Sequence, residues 1–352
     1  MARTALPEHN LDLLRSVAVM GVLANHSANA LIGHVTVLAA WLGQAGVQAF
    51  FVHTSLVLMG SMERDGAPGA VGWIKRFYVR RVWRIYPLVI VVIAVVLFLH
   101  VPATIRGARE HFSTDDILAN LALVQNLLGR RNILSVLWTL PLELQMYIAL
   151  PLCFLVARNR SPGGMLALLA AGVAAAILYT SGKDAIPGLW RLRTLEFVPC
   201  FLSGVLAYWL LQRGHRARLS SHLWIAIIVA NLALGYAAWT LWPETWFVRA
   251  AYCMVFGMTI PLVADMAASR VTRAAHSIAT YSYGIYLIHP IALWLGFRIL
   301  ADEPLAVQLL AIAVSLTLGS LAAYHLVEKP GIEIGRRMTH QRARLVAEPA
   351  AP

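Results

Sequence analysis

The chain is poor in charge. Of its 352 residues only 13% are charged and 17 are acidic, against 59% hydrophobic residues and a mean hydropathy of +0.67. A soluble domain is about a quarter charged and about half apolar, so this composition excludes a water-borne globule and places the chain in a bilayer. Cysteine is nearly absent. Cys153, Cys200 and Cys253 lie inside apolar runs at no metal-ligand spacing, which argues against a disulfide framework and against a metal site. There is no G-x-x-x-x-G-K-[ST] loop, no G-x-S-x-G elbow and no H-E-x-x-H pair. P-loop hydrolysis, serine-hydrolase chemistry and zinc proteolysis therefore have no support. Internal repeats and low-complexity tracts are missing too, and no soluble appendage is expected.

What the chain has instead is long apolar runs. A hydrocarbon core of about 30 Å takes roughly 20 apolar residues per helix. That rule marks spans near 13–32, 41–62, 85–102, 136–157, 163–180, 196–212, 221–241, 250–267, 278–297 and 305–326. The expected fold is all-α: a polytopic integral membrane protein of about ten transmembrane helices, with a membrane domain over 1–335 and a basic, then Ala/Pro-rich tail over 336–352 that is expected to be disordered at its end. The connections alternate in charge, with 20 Lys/Arg on the side of both termini and 9 on the other. The positive-inside rule then puts both termini in the cytoplasm. The net charge of +12 is thus mainly a topology signal, and no groove-reading motif points to nucleic acid. Arg3, an apolar run and Ala28-Asn29-Ala30 imitate a cleavable signal peptide, but the acidic Asp12 and nine further spans favour a retained first helix.

That first helix, LDLLRSVAVMGVLANH, carries Asp12, Arg15 and His26. Arg15 and His26 are eleven residues apart, so at 100° per residue they lie about 20° from one line and about 16 Å apart along the axis. Asp12 falls within about 40° of His26. Ionisable groups in hydrocarbon are costly and mark function by default, so this face is expected to look into the bundle. The plain alternative is an Asp12–Arg15 staple with His26 bonded to a nearby carbonyl. A neutral imidazole near mid-membrane suits a general base, and a permanently charged arginine at the mouth suits a phosphate. Together they fit a ligand with a phosphate head and a buried reactive end, such as acyl-coenzyme A.

Five further segments carry polar groups in apolar surroundings. KRFYVRRVWRIYP places Arg81 and Arg84 three apart, with Pro87 at the start of the third span. The step fits nucleotide phosphates as well as a basic membrane surface. VLWTLPLELQMYIALP sets Glu143 and Tyr147 on one helical face, where Glu143 can bond a sugar hydroxyl, orient a base, or tie two helices together. His53 in FFVHTSLVLM and His289 before Pro290 in SYGIYLIHP are lone intramembrane imidazoles. YHLVEKP ends the last span at Glu328, with Pro330 as a helix stop, and Glu328 can complete a charge network with the arginines.

In this order, LDLLRSVAVMGVLANH, GVQAFFVHTS, RRVWRIYP, LWTLPLELQMY, SYGIYLIHP and YHLVEKP resemble the acyltransferase family 3 membrane O-acyltransferases over residues 11 to 330. The resemblance implies about ten membrane helices and an acyl-coenzyme A co-substrate, most simply acetyl-coenzyme A, with no bound cofactor. It also implies a hydroxyl acceptor on a carbohydrate, a surface polysaccharide or a lipid-linked sugar, at the cell inner membrane. It carries the catalytic histidine onto His26, the donor-binding arginines onto Arg15, Arg81 and Arg84, a late acidic residue onto Glu328 and the motif glutamate onto Glu143. This chain departs from the pattern at His53-Thr54-Ser55, Thr139 and Pro141, so the acceptor pocket is expected to differ. A transporter or flippase of an anionic or sugar-linked solute is the competing expectation, because intramembrane charges line such paths as well.

Overall fold

The computed structural model describes residues 6–65, 72–102, 111–159, 161–214 and 219–347, with side chains as far as 339. Among these residues there is no strand, only an isolated bridge between Leu219 and Val263. The helices are α1 (Glu8–Ile32), α2 (Val37–Arg64), α3 (Trp73–Leu99), α4 (Thr114–Leu121), α5 (Gln125–Leu128), α6 (Thr139–Arg158), α7 (Pro162–Gly182), α8 (Thr194–Gln212), α9 (Leu223–Leu241), α10 (Trp246–Thr259), α11 (Arg270–Trp294), α12 (Leu305–Ala322) and α13 (Lys329–Ala347). All-α architecture was expected, and helix is what a chain with no water to satisfy its backbone must form.

Among the described residues seven helical stretches are long and apolar enough to cross a membrane, those containing α2, α3, α6, α7, α8, α9 and α12. The chain is a multi-pass membrane protein. The expected first and ninth spans form 25-residue helices, α1 and α11, but fall short of the same test. Asp12, Arg15, Asn25, His26 and Asn29 lower the hydropathy of α1, as Arg270, Arg273, His276 and His289 do in α11. The eighth is a shorter apolar helix, Trp246–Leu262. Large apolar side chains such as Leu166, Leu234, Leu310 and Leu326 stand exposed, the surface a lipid solvent requires.

Two compact units divide the chain, one of Met1–Arg64 and Thr114–Ser282 and the other of Asp65–Ser113 and Tyr283–Pro352. The first is built on α2, which is buried over most of its length. Glycine lets its neighbours come close: a Cβ on Gly46 would stand 2.4 Å from the carbonyl oxygen of Ala18 in α1, and one on Gly204 in α8 would stand 2.2 Å from that of Val52. Close backbone approach is how membrane helices gain packing energy when lipid is as apolar as leucine. Aromatic rings fill the rest. Phe51 stacks on Phe201 at 4.3 Å, and Trp41 meets Tyr252 edge-on at 5.2 Å while its indole N–H donates to the Leu232 carbonyl at 2.9 Å.

In the second unit α13 packs on α3, where Gly331 leaves room for the Trp83 carbonyl (a Cβ would stand 2.7 Å from it). Two expectations are corrected here. The helix that holds the third expected span starts at Trp73 rather than near residue 85, so KRFYVRRVWR is helix and Pro87 lies in its interior. The interleaved aromatic and aliphatic residues give that basic segment a buried side at Trp73, Phe77 and Ile85, which favours helix over loop. Pro330 does not stop the last helix either. A π-helical turn, Ala323–Glu328, joins α12 to α13 without a break. The proline falls just past a turn where the i→i−4 ladder is already interrupted, so its missing N–H adds little cost. Helix continues through Ala347, and the end of the tail, where disorder was expected, lies outside the described residues.

The backbone oxygen facing Gly204 cannot move aside. Gly204→Ala should therefore destabilise the detergent-solubilised protein by about 1–3 kcal/mol, read as a lower unfolding temperature. Gly163→Ala, whose Cβ would meet only Ser161 Oγ at 3.9 Å, should not lower it.

Candidate active site

Arg15 and His26 lie on one unbroken helix. Counting 100° per residue, the buried Leu11, Val19 and Val22 fall within about 40° of Arg15 and His26 within about 20°, whereas the exposed Met20 and Ala24 lie on the far side. The polar stripe thus occupies the buried arc, and both residues are half-buried. His26 stands six residues before the end of α1, midway between that end and the middle of the helix. Its turn is polar: Asn29 Nδ2 donates to Asn25 Oδ1 at 3.1 Å, and Asn25 abuts Gly43 of α2.

The Asp12–Arg15 staple is not what forms. Arg15 Nε donates to Ser282 Oγ of α11 at 2.6 Å, and its guanidinium lies 6.0 Å from the centre of the Phe50 ring. Asp12 instead meets His276 of α11, with Oδ2 2.7 Å from Nδ1. Ser16 of α1 adds a bond to the Ala275 carbonyl of α11 at 2.6 Å. His53 is buried on α2, two turns after Gly46.

Glu143 and Tyr147 do face one way: the phenol donates to the carboxylate. Two residues on, Gln145 accepts from Thr194 and donates to Asn126 Oδ1 at 3.1 Å, tying α6 to α8 and α5. Glu143 is half-buried, so the tyrosine bond leaves its orientation fixed.

In the second unit Arg84 and Glu328 meet. Arg84 Nη1 donates to Glu328 Oε2 at 2.6 Å, and the carboxylate side chain is fully buried. Arg84 also lies 5.7 Å from the centre of the Tyr283 ring, whose hydroxyl donates to the Ile85 carbonyl at 3.0 Å. The π-helical turn presents Glu328, and such turns concentrate at functional sites. Arg81, one turn before Arg84, is half-buried. His289 is buried, with Nδ1 3.2 Å from the Ile285 carbonyl of its own helix.

Reasoning from sequence left His276 and Ser282 without roles, although Ser282 is the first residue of SYGIYLIHP. The nine Lys/Arg assigned to connections on the side away from the termini included Arg249. In the structure Arg249 is buried, donates to Glu196, and lies 5.3 Å from the Phe197 ring and 5.5 Å from Trp239. The signal was a lone arginine in an apolar run, which demands a partner.

The Arg84–Glu328 pair sets its own test. Removing one partner of a buried pair strands the other charge at about 3–5 kcal/mol, while replacing both with apolar residues is close to neutral. Arg84→Ala should lower the unfolding temperature sharply, and Arg84→Met with Glu328→Leu should recover most of the loss. Losses that simply add would contradict the pairing.

Comparison with known proteins adds a second line. A family profile described as an acyltransferase domain, that of acyltransferase family 3, matches residues 8–325. A curated relative, Nodulation protein 10 of Rhizobium leguminosarum bv. viciae, is 23% identical over 381 aligned positions that cover 95% of this chain and 96% of the relative. No solved structure gives a significant match.

Proposed function

The chain belongs to acyltransferase family 3 and is a multi-pass membrane acyltransferase, and from that premise we propose that it moves an acyl group, most simply acetyl, from acyl-coenzyme A to a carbohydrate hydroxyl at the cell inner membrane. The acceptor is a surface polysaccharide or a lipid-linked sugar. The observation that carries this reading is the shared buried arc of Arg15 and His26 on one unbroken helix. A fixed cation and an imidazole about 16 Å apart along that arc suit a donor whose phosphate head and thioester are far apart.

In this reading His26 takes the proton of the acceptor hydroxyl. The oxygen attacks the thioester carbonyl, the carbon–sulfur bond breaks, and coenzyme A leaves as the thiol with that proton. Arg15, steadied by Ser282 and Phe50, holds a donor phosphate, the role that Arg81 and Arg84 share in the family pattern. Charge-assisted hydrogen bonds are the strong ones for such a head group. Glu328 positions the Arg84 guanidinium. Glu143, held by Tyr147, receives a hydroxyl of the acceptor.

His26→Ala should leave a folded protein whose acyl transfer falls by about 10²–10⁴, the contribution of a general base. Near-normal turnover would remove His26 from the chemistry. Arg15→Ala should raise the donor Kd by roughly ten- to a hundredfold, the worth of one hydrogen bond to a charged group. Membranes given labelled acetyl-coenzyme A should release free thiol and label a glycan or lipid, whereas a carrier of sugar-linked solutes would do neither.

A further inference from the structure

On the face of α1 opposite Arg15 and His26 runs a groove of about 530 Å³. Val17 and Met20 of α1, Leu42 of α2, Leu232 of α9, and Ala274 and Ile278 of α11 wall it. The lining is almost wholly hydrocarbon, and Ser16 at its edge spends its hydroxyl on the Ala275 carbonyl. Met20 is 45% and Val271 50% exposed, so the groove opens sideways rather than closing on itself.

One end of it is charged. At the start of α11, Arg270 directly precedes Val271 in the groove wall and lies about 40° from Ala274 around the helix. Arg270 and Arg273 are exposed. The nearby carboxylates are engaged elsewhere, Asp12 by His276, and Asp265 by His9 and the backbone N–H of Asn10. Among the described residues neither arginine forms an ion pair. A hydrocarbon slot capped by two unneutralised guanidiniums is complementary to an amphiphile with an anionic head.

We propose that the groove between α1, α2, α9 and α11 holds the acyl chain of an anionic phospholipid from the surrounding bilayer, with its phosphate at Arg270 and Arg273. The site faces away from His26 and does not depend on the acyl-transfer reading.

Native mass spectrometry of the purified full chain in neutral detergent, titrated with phosphatidylglycerol and with phosphatidylcholine, tests it. The chain should retain one phosphatidylglycerol in clear preference to phosphatidylcholine, since each basic side chain at an anionic surface is worth roughly fivefold. Arg270→Glu with Arg273→Glu should abolish that preference. Ala274→Trp, on an exposed wall, should reduce retention of both lipids while the protein stays helical and monodisperse. Should that variant not fold, the charge-reversed surface pair decides alone. Equal retention of the two lipids by the native chain, or an unchanged preference in the charge-reversed pair, would overturn the proposal. Displacement of phosphatidylglycerol by a polyprenyl phosphate at much lower concentration would overturn it too, by making an isoprenoid the occupant.

Discussion

Everything in the first unit turns on one constraint: α1 carries ionisable groups that hydrocarbon will not accept. The helix answers by turning Arg15 and His26 into the buried arc and tying its polar groups to the segment from Ala264 to Ser282. Asn10 donates to the Ala264 carbonyl, Asp12 meets His276, Arg15 meets Ser282 and Ser16 meets the Ala275 carbonyl. Such interhelical bonds average well under 2 kcal/mol each in membranes, but four of them to one segment fix the rotation of α1 about its axis. That rotation places the imidazole.

The same economy governs the second unit. Glu328 is acceptable in an apolar helix because Arg84 neutralises it, and the π-helical turn is what delivers the carboxylate. The pair therefore has a structural task, keeping a buried acid satisfied, apart from the ligand-binding task we propose for the arginine. An arginine whose fork is pre-oriented by a buried acid loses less entropy on meeting a phosphate.

Much of this was legible in the sequence, and the limits have physical causes. The 3.6-residue period sufficed to put Arg15 and His26 on one face and Glu143 beside Tyr147, since both are relations within one helix. Six ordered motifs sufficed for the family. Partners contributed by distant segments were not legible: nothing local in the first helix points to Ser282 or His276, some 265 residues away. Proline rules misled at Pro330 because a π-helical turn already interrupts the ladder there, and at Pro87 because α3 runs on through it. Arg249 was misread because a loop charge and a buried ion pair look alike in one dimension. Counting ten apolar runs gave helices in the right places, but the polar residues that make α1 and α11 interesting are also what keeps them below the composition of an ordinary span.

The central claim is that the buried arc of α1 is the path of the acyl donor. Photo-crosslinking the purified protein with an acyl-coenzyme A analogue carrying a photoreactive acyl end, followed by peptide mapping, tests it most directly. The account predicts adducts on the α1 peptide around His26, displaced by unlabelled acetyl-coenzyme A. Displaceable adducts confined to lipid-facing helices such as α7 and α12, with α1 untouched, would contradict it.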